Sequence, residues 1–120
     1  MHQVKQLNYY ERRIFITEGP FDSLLLNNGL AMAGADVALP EYLDKCDVVF
    51  GMDNEPRNTA ITDRIESLIS KGHKVVIWPK EIKEKDINDM FLKGIPVQTI
   101  VESNVYSGLT ATLKLKEWIK

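Results

Sequence analysis

Short runs of β-branched and aliphatic residues alternate along the chain with segments whose apolar residues recur every three to four positions. The runs indicate strands, and the second spacing is typical of helices with one buried face. Strands are predicted at 12–17, 47–52 and 74–78, with a weaker candidate within 30–38. Strands separated by helices predict βαβ units, and therefore an α/β fold with a mostly parallel sheet.

Four helices are predicted: 20–29, 59–72, 86–93 and 107–120. The first begins at Pro20, which the first turn of a helix tolerates. The second is capped by Asn58 or Thr59, and its buried face is predicted from helical spacing: Ile61, Ile65, Leu68 and Ile69. The last is expected to carry its apolar contacts on three residues: Leu109, Leu113 and Trp118.

Composition narrows the class of protein. The 120 residues are 44% hydrophobic with a formal net charge of −2, which suits one domain with a real core. No apolar run is long enough to span a bilayer, so we expect a cytoplasmic protein with no membrane partner. The single cysteine, Cys46, excludes an internal disulfide and a cysteine-based zinc site. The charge balance argues against binding nucleic acid by bulk charge alone.

Acidic side chains follow the predicted strands where each strand ends. Glu18 comes after the first strand, Asp53 and Glu55 after the run 47–52, and Asp86 soon after 74–78. Parallel strands end at one edge of a sheet, where ligands of α/β proteins collect. Like charges crowded in a half-buried loop repel each other and favour a bound cation. Since Mg²⁺ prefers a few carboxylates together with substrate phosphates, this edge is a candidate magnesium site.

Taken singly, each member of this acidic set is better explained by a structural role, and only the set as a whole indicates a metal site. Asp22 suits the first turn of a helix, where the helix dipole favours negative charge, and Asp89 suits an exposed helix face. Both interpretations stay open on the residues alone.

Cations share the loops with these acids. Arg57, Lys80 and Lys85 are candidates for phosphate contacts, with solvated loop charges as the alternative. Trp78 and Trp118 are expected to pack in the core rather than to stack on bases.

The segment 14–22 is an apolar strand followed by Glu18, Gly19 and, three positions further on, Asp22. It resembles the strand and Glu-Gly-x-x-Asp motif of the Toprim fold, which bacterial-type primases, topoisomerases and some nucleases share. The resemblance implies a Rossmann-like, mostly parallel sheet of about four strands with helices on both faces.

Two later segments fit the same family. The segment 48–55 is similar to its second strand ending in Asp-x-Asp, with Glu55 in place of the second Asp, and 85–90 is similar to a later acidic motif of primases. The three motifs in this order look most like primases of T-even-type bacteriophages and cover about residues 12–119.

The resemblance implies that Glu18, Asp53 and Glu55 are catalytic and hold one or two Mg²⁺ ions, or Mn²⁺, with Asp86 adding to the metal site. It also implies that Glu18 serves as general acid or base and that Asp22 holds Glu18 in place. Gly19 and Asp89 would support the same motifs. The implied reaction is nucleotidyl transfer from ribonucleoside triphosphates, which makes RNA primers on single-stranded DNA beside a replicative helicase.

The implied domain organisation is a polar extension over 1–11 and one Toprim domain over 12–120. A primase of this type also needs a zinc-binding domain and a basic subdomain, which one cysteine and a charge of −2 do not supply. We therefore expect part of a larger primase, monomeric in isolation and weak or inactive alone in primer synthesis.

Two other functions compete with this one. A Toprim nuclease would use the same carboxylates to cut a strand. A non-catalytic module that docks a replicative helicase would explain the low net charge. A topoisomerase is disfavoured, because no tyrosine of the chain is a convincing nucleophile.

Overall fold

A computed structural model describes residues 13–31 and 46–120. The predicted extension 1–11 and most of the candidate strand within 30–38 lie outside these residues. In chain order the described elements are β1 Arg13–Thr17, α1 Pro20–Leu24, β2 Gly29–Ala31, β3 Asp47–Gly51, α2 Thr59–Ser70, β4 Lys74–Val76, α3 Ile87–Leu92, α4 Val97–Ser103, β5 Val105–Tyr106 and α5 Gly108–Trp118.

The strands form one sheet in the order β2-β1-β3-β4-β5. The pairings β1–β2, β1–β3 and β3–β4 are parallel, and β5 is antiparallel to β4. The predicted α/β fold with a mostly parallel sheet is confirmed, with five described strands instead of about four. Helix α1 connects β1 to β2 in one direction and α2 connects β3 to β4 in the other, so right-handed crossovers put them on opposite faces. In agreement, α1 packs against α3 while α2 packs against α5.

The core lies between the central strands and these helices. Phe15, Val49 and Val75 are at most 2% exposed, as expected for strands covered on both faces. The predicted stripe of α2 is buried along its whole length, from Ile61 to Ile69. Asn58 is the N-cap, and its side chain accepts hydrogen bonds from the backbone of Ala60 and Ile61.

The C-terminal region differs most from the sequence prediction. β4 ends at Val76 rather than at residue 78, and α4 and β5 were not predicted. Ala111, Leu115 and Trp118 form the buried face of α5. The predicted contacts of Leu109 and Leu113 are wrong, because both side chains lie on the opposite side of the helix, about 160° from Ala111. They are 74% and 55% exposed.

No helix in the described ranges combines the length and the apolar character that crossing a membrane requires.

Candidate functional site at the carboxyl edge of the sheet

The candidate site lies where β1 and β3 end side by side. The register pairs Thr17 with Gly51, so Glu18 and the loop that begins at Met52 leave the sheet at the same edge. From β1 the chain crosses to β2 on one side, and from β3 it crosses to β4 on the other. Such a switch point leaves a crevice at the carboxyl ends of the strands, which is the usual ligand site of open α/β sheets.

Asp53 is the electrostatic centre of this edge. The side chain is half-buried, and its pKa is raised to about 6, with burial as the largest cause. Four neighbouring carboxylates contribute the rest of this rise, in decreasing order of effect: Asp22, Glu18, Asp86 and Glu55. Four of the other predicted acids thus lie close enough to Asp53 to oppose its ionisation.

Glu18 is held by a residue that the sequence did not single out. Arg64 of α2 forms an ion pair with Oε2 of Glu18, and both side chains are about one-third exposed (29% for Arg64 and 33% for Glu18). Oε1 of Glu18 is buried and has no hydrogen-bond partner among the described residues. Arg64 lies outside the predicted buried stripe of its helix, and nothing in the sequence pattern indicates this ion pair.

Asp22 joins α1 to α3. Its side chain is buried, and Oδ1 accepts a hydrogen bond from the backbone N–H of Asn88 over 3.1 Å. Burial raises the pKa of Asp22. The negative charges of Asp86 and Asp89 raise it further, and the hydrogen bond from Asn88 lowers it in part. Oδ2 lies close to Gly19, where a β-carbon would be 3.5 Å away. Asp22 therefore positions the start of α3, and no hydrogen bond between Asp22 and Glu18 is among the described contacts.

Asp86 and Asp89 have structural roles in this arrangement. Asp86 is the N-cap of α3, and its Oδ1 accepts from the backbone N–H of Asp89 at 2.8 Å. Asp89 is an exposed residue in the first turn. The cap holds one oxygen of Asp86 and leaves the second for another contact.

Asn54 fixes the loop that carries Asp53 and Glu55. Its side chain donates to the carbonyls of Ile82 and Glu84 at 3.0 Å each, and its Oδ1 accepts from Trp118 Nε1 at 3.0 Å. Its backbone N–H also donates to the carbonyl of Lys85. With 9% exposure, Asn54 is a buried polar residue whose side-chain amide has partners at both ends. Sequence reasoning missed this role.

The two tryptophans hold the same loop from the side of the core. Trp78 Nε1 donates to the carbonyl of Met52 at 2.8 Å, and Trp118 binds Asn54. They are 3% and 4% exposed. The prediction that both are packing residues is confirmed. Together they hold the residues on either side of Asp53, Met52 by its carbonyl and Asn54 by its side chain.

The predicted phosphate contacts are surface residues. Arg57, Lys80 and Lys85 are exposed. Their contact with phosphate stays a prediction.

Comparison with known proteins adds one finding. The chain is 36% identical to the DNA primase of Enterobacteria phage T4 over 112 residues, which cover 89% of this chain. This chain is related to a phage primase. The match spans 33% of that primase, so the chain corresponds to about one-third of its relative. A scan against protein-family models found no match.

The side chains at the acidic edge of this primase-related domain are of the type that binds a hard cation such as Mg²⁺. They offer carboxylate oxygens only, one of them buried without a hydrogen-bond partner among the described residues, at a point where negative charges repel each other. In the described ranges, no three acidic, histidine or cysteine side chains stand in a geometry ready to hold a metal ion. Glu18 is paired with Arg64 and Asp86 caps α3, so a shared ion requires these side chains to rearrange.

Proposed function

We propose that this chain is the Toprim-type, metal-dependent catalytic domain of a phage primase, which transfers nucleotides to make RNA primers on single-stranded DNA. One observation carries the proposal: Glu18, Asp22, Glu55 and Asp86 all raise the pKa of Asp53 at the switch point of the sheet. Similarity to a phage DNA primase over most of the chain supports the reaction class.

In this proposal Glu18, Asp53 and Glu55 hold Mg²⁺, or Mn²⁺, with the uncapped oxygen of Asp86 as a further ligand. The bound ions would neutralise charge on the transferred phosphoryl group and on the attacking and leaving oxygens. Glu55 has one methylene more than the aspartate of the family motif, which extends its reach from the loop.

The other residues at this edge have positioning roles. Asn54, Trp78 and Trp118 keep the loop rigid, which a site for aligned phosphoryl transfer requires. Glu18, once released from Arg64, would accept or donate the proton of the primer hydroxyl. Arg57, Lys80 and Lys85 would contact phosphates of the nucleoside triphosphate or of the template, and a replicative helicase would deliver the template.

The metal site is tested by thermal unfolding in the presence of Mg²⁺. A ligand that binds only the folded chain stabilises it by about 1.4 kcal/mol at ten times its Kd. We expect Mg²⁺ to raise the Tm of the natural chain and to leave that of the double variant Asp53→Asn/Glu55→Gln unchanged, at constant ionic strength.

A matched control removes the same two charges from the exposed side of α2. Asp63→Asn/Glu66→Gln should respond to Mg²⁺ as the natural chain does, since both side chains are exposed. Equal responses of the two double variants, or none in the natural chain, would contradict the metal site. Parallel assays of primer extension and of strand cutting, with the chain joined to the rest of a primase, separate the polymerase from a nuclease.

A further inference from the structure

A groove opens beside the acidic edge, at the carboxyl end of β4. Its larger compartment, of about 360 Å³, lies between the segment 77–81 and the elements β5 and α5. A smaller compartment of about 90 Å³ adjoins it towards Asn54 and Pro56. The two compartments share Pro79, Lys80 and Trp118, so they adjoin, and together they are here named the lysine groove.

The lysine groove concentrates positive charge on a chain whose net charge is −2. Lys80, Lys83 and Lys120 line the smaller compartment, and none of the described residues lining it is acidic. Lys114 lies in the larger compartment, where Glu81 and Glu117 offset part of the charge. The positive end of the groove is therefore the end next to the loop of Asp53.

The larger compartment adds an aromatic ring. Tyr106 is half-buried there, and Nζ of Lys114 lies 5.5 Å from the centre of its ring. Proteins that bind single strands without reading their sequence combine positive side chains, which contact the phosphates, with aromatic rings, on which the bases stack. The lysine groove offers both.

We propose that the lysine groove binds the backbone of a single nucleic-acid strand and leads it to the acidic edge. The spread of four lysines over two adjoining compartments favours a strand over one free nucleotide. The choice of nucleic acid as the polyanion rests on the proposed function. The lysines would contact phosphates, and Tyr106 would stack on a base.

Binding is measured by fluorescence anisotropy with the whole chain and a labelled oligothymidylate of roughly 12 nucleotides. EDTA is present throughout, so the metal site does not contribute. We expect Lys80→Gln/Lys83→Gln to weaken binding about tenfold at low salt. The slope of log K against log salt should fall by about 1.4, because each single-strand phosphate contact contributes about 0.7.

The matched control is Lys71→Gln/Lys93→Gln, which removes two exposed lysines outside the groove. It should keep the affinity within about twofold of the natural chain. Tyr106→Leu should weaken binding about fivefold or more and Tyr106→Phe should not, since stacking needs the ring and not the hydroxyl.

Equal losses in the two lysine pairs would overturn the proposal, as would absence of binding to the natural chain. A nucleoside triphosphate that competes at the groove as strongly as the oligonucleotide would overturn the strand as its occupant. These outcomes are independent of the Mg²⁺ titration, so a failed groove and a failed metal site can be told apart.

Discussion

The two ends of β3 place the same residue type in opposite surroundings. At the amino end, Asp47 accepts hydrogen bonds from Lys74 Nζ at 2.6 Å and from Arg13 Nε at 2.8 Å. Burial alone would raise the pKa of Asp47, but these two cations lower it below its ordinary value. Just beyond the carboxyl end, burial and four neighbouring acids raise the pKa of Asp53 to about 6.

The difference separates stability from function. Both side chains are partly buried, so their neighbours decide the sign of the shift. Opposite charges around Asp47 stabilise the ends of three strands. The acids around Asp53 oppose folding, and such a cluster in a crevice is typical of a functional site.

The largest expected effect comes from the neutral hydrogen bonds that hold the carboxyl edge together. Asn54→Ala should lower the free energy of unfolding by about 2–3 kcal/mol, because Trp118 Nε1 and two carbonyls lose their partner. Urea unfolding measures it. Asn88→Ala, at an exposed side chain, should stay within about 0.5 kcal/mol of the natural chain. Similar losses in both variants would show that this loop does not depend on Asn54.

The two ends of β3 should respond with opposite sign to loss of their carboxylate. Asp53→Asn should stabilise the chain at pH 7 by about 1–2 kcal/mol, a value discounted because the side chain is half-exposed. A raised pKa means that the native state holds the proton more tightly than the unfolded chain. The cost of ionised Asp53 therefore develops as pH rises from about 4 to 6, and below that range the variant should gain little.

Asp47→Asn is the counterpart at the amino end. It should destabilise the chain by about 1–2 kcal/mol at neutral pH, because Arg13 and Lys74 lose a charged acceptor. Because the pKa of Asp47 is lower in the folded chain than in the unfolded chain, ionised Asp47 stabilises the fold at pH values above the ordinary carboxyl pKa. This stabilisation is lost as the pH falls through the pKa of Asp47 in the folded chain. Urea unfolding over a pH series measures both variants, and a loss of stability in both at pH 7 would contradict the contrast between the two ends.

The smallest effect concerns the one ion pair described at the acidic edge. Arg64 and a bound cation compete for Oε2 of Glu18. Arg64→Gln should therefore tighten Mg²⁺ binding about 1.5- to 5-fold, as expected for a partly exposed pair. Lys71→Gln, a control at the end of the same helix, should leave the Mg²⁺-induced rise in Tm unchanged. Weaker Mg²⁺ binding in Arg64→Gln would show that Arg64 instead positions Glu18 for the metal.

The sequence predicted those parts of the molecule that repeat a simple pattern. β1 and β3 are continuous apolar runs, and α2 combines a regular stripe with a good cap at Asn58. The alternation of strands and helices alone predicts a parallel sheet, and therefore that the acids in the loops after β1 and β3 lie at its carboxyl edge. β5 has only two residues, which are too few to show a period. The short helix α4 before it also has no clear sequence signal.

The contacts that shape the site depend on distances between elements, which no local pattern contains. The helical period does not tell which flank of α2 lies over the end of β1, and so Arg64 went unnoticed. Asn54 looks in sequence like a solvated loop residue. Its role depends on carbonyls from the segment 82–84 and on a tryptophan 64 positions away.

Both tryptophans of the chain donate their ring N–H to the loop 52–54. The tryptophan fluorescence of the protein therefore originates entirely from indoles bonded on either side of Asp53. An ion or a nucleic-acid strand that shifts this loop changes the polarity around the emitters, and the emission maximum reports it. The unlabelled natural chain thus carries its own optical probe at the place where its chemistry is proposed.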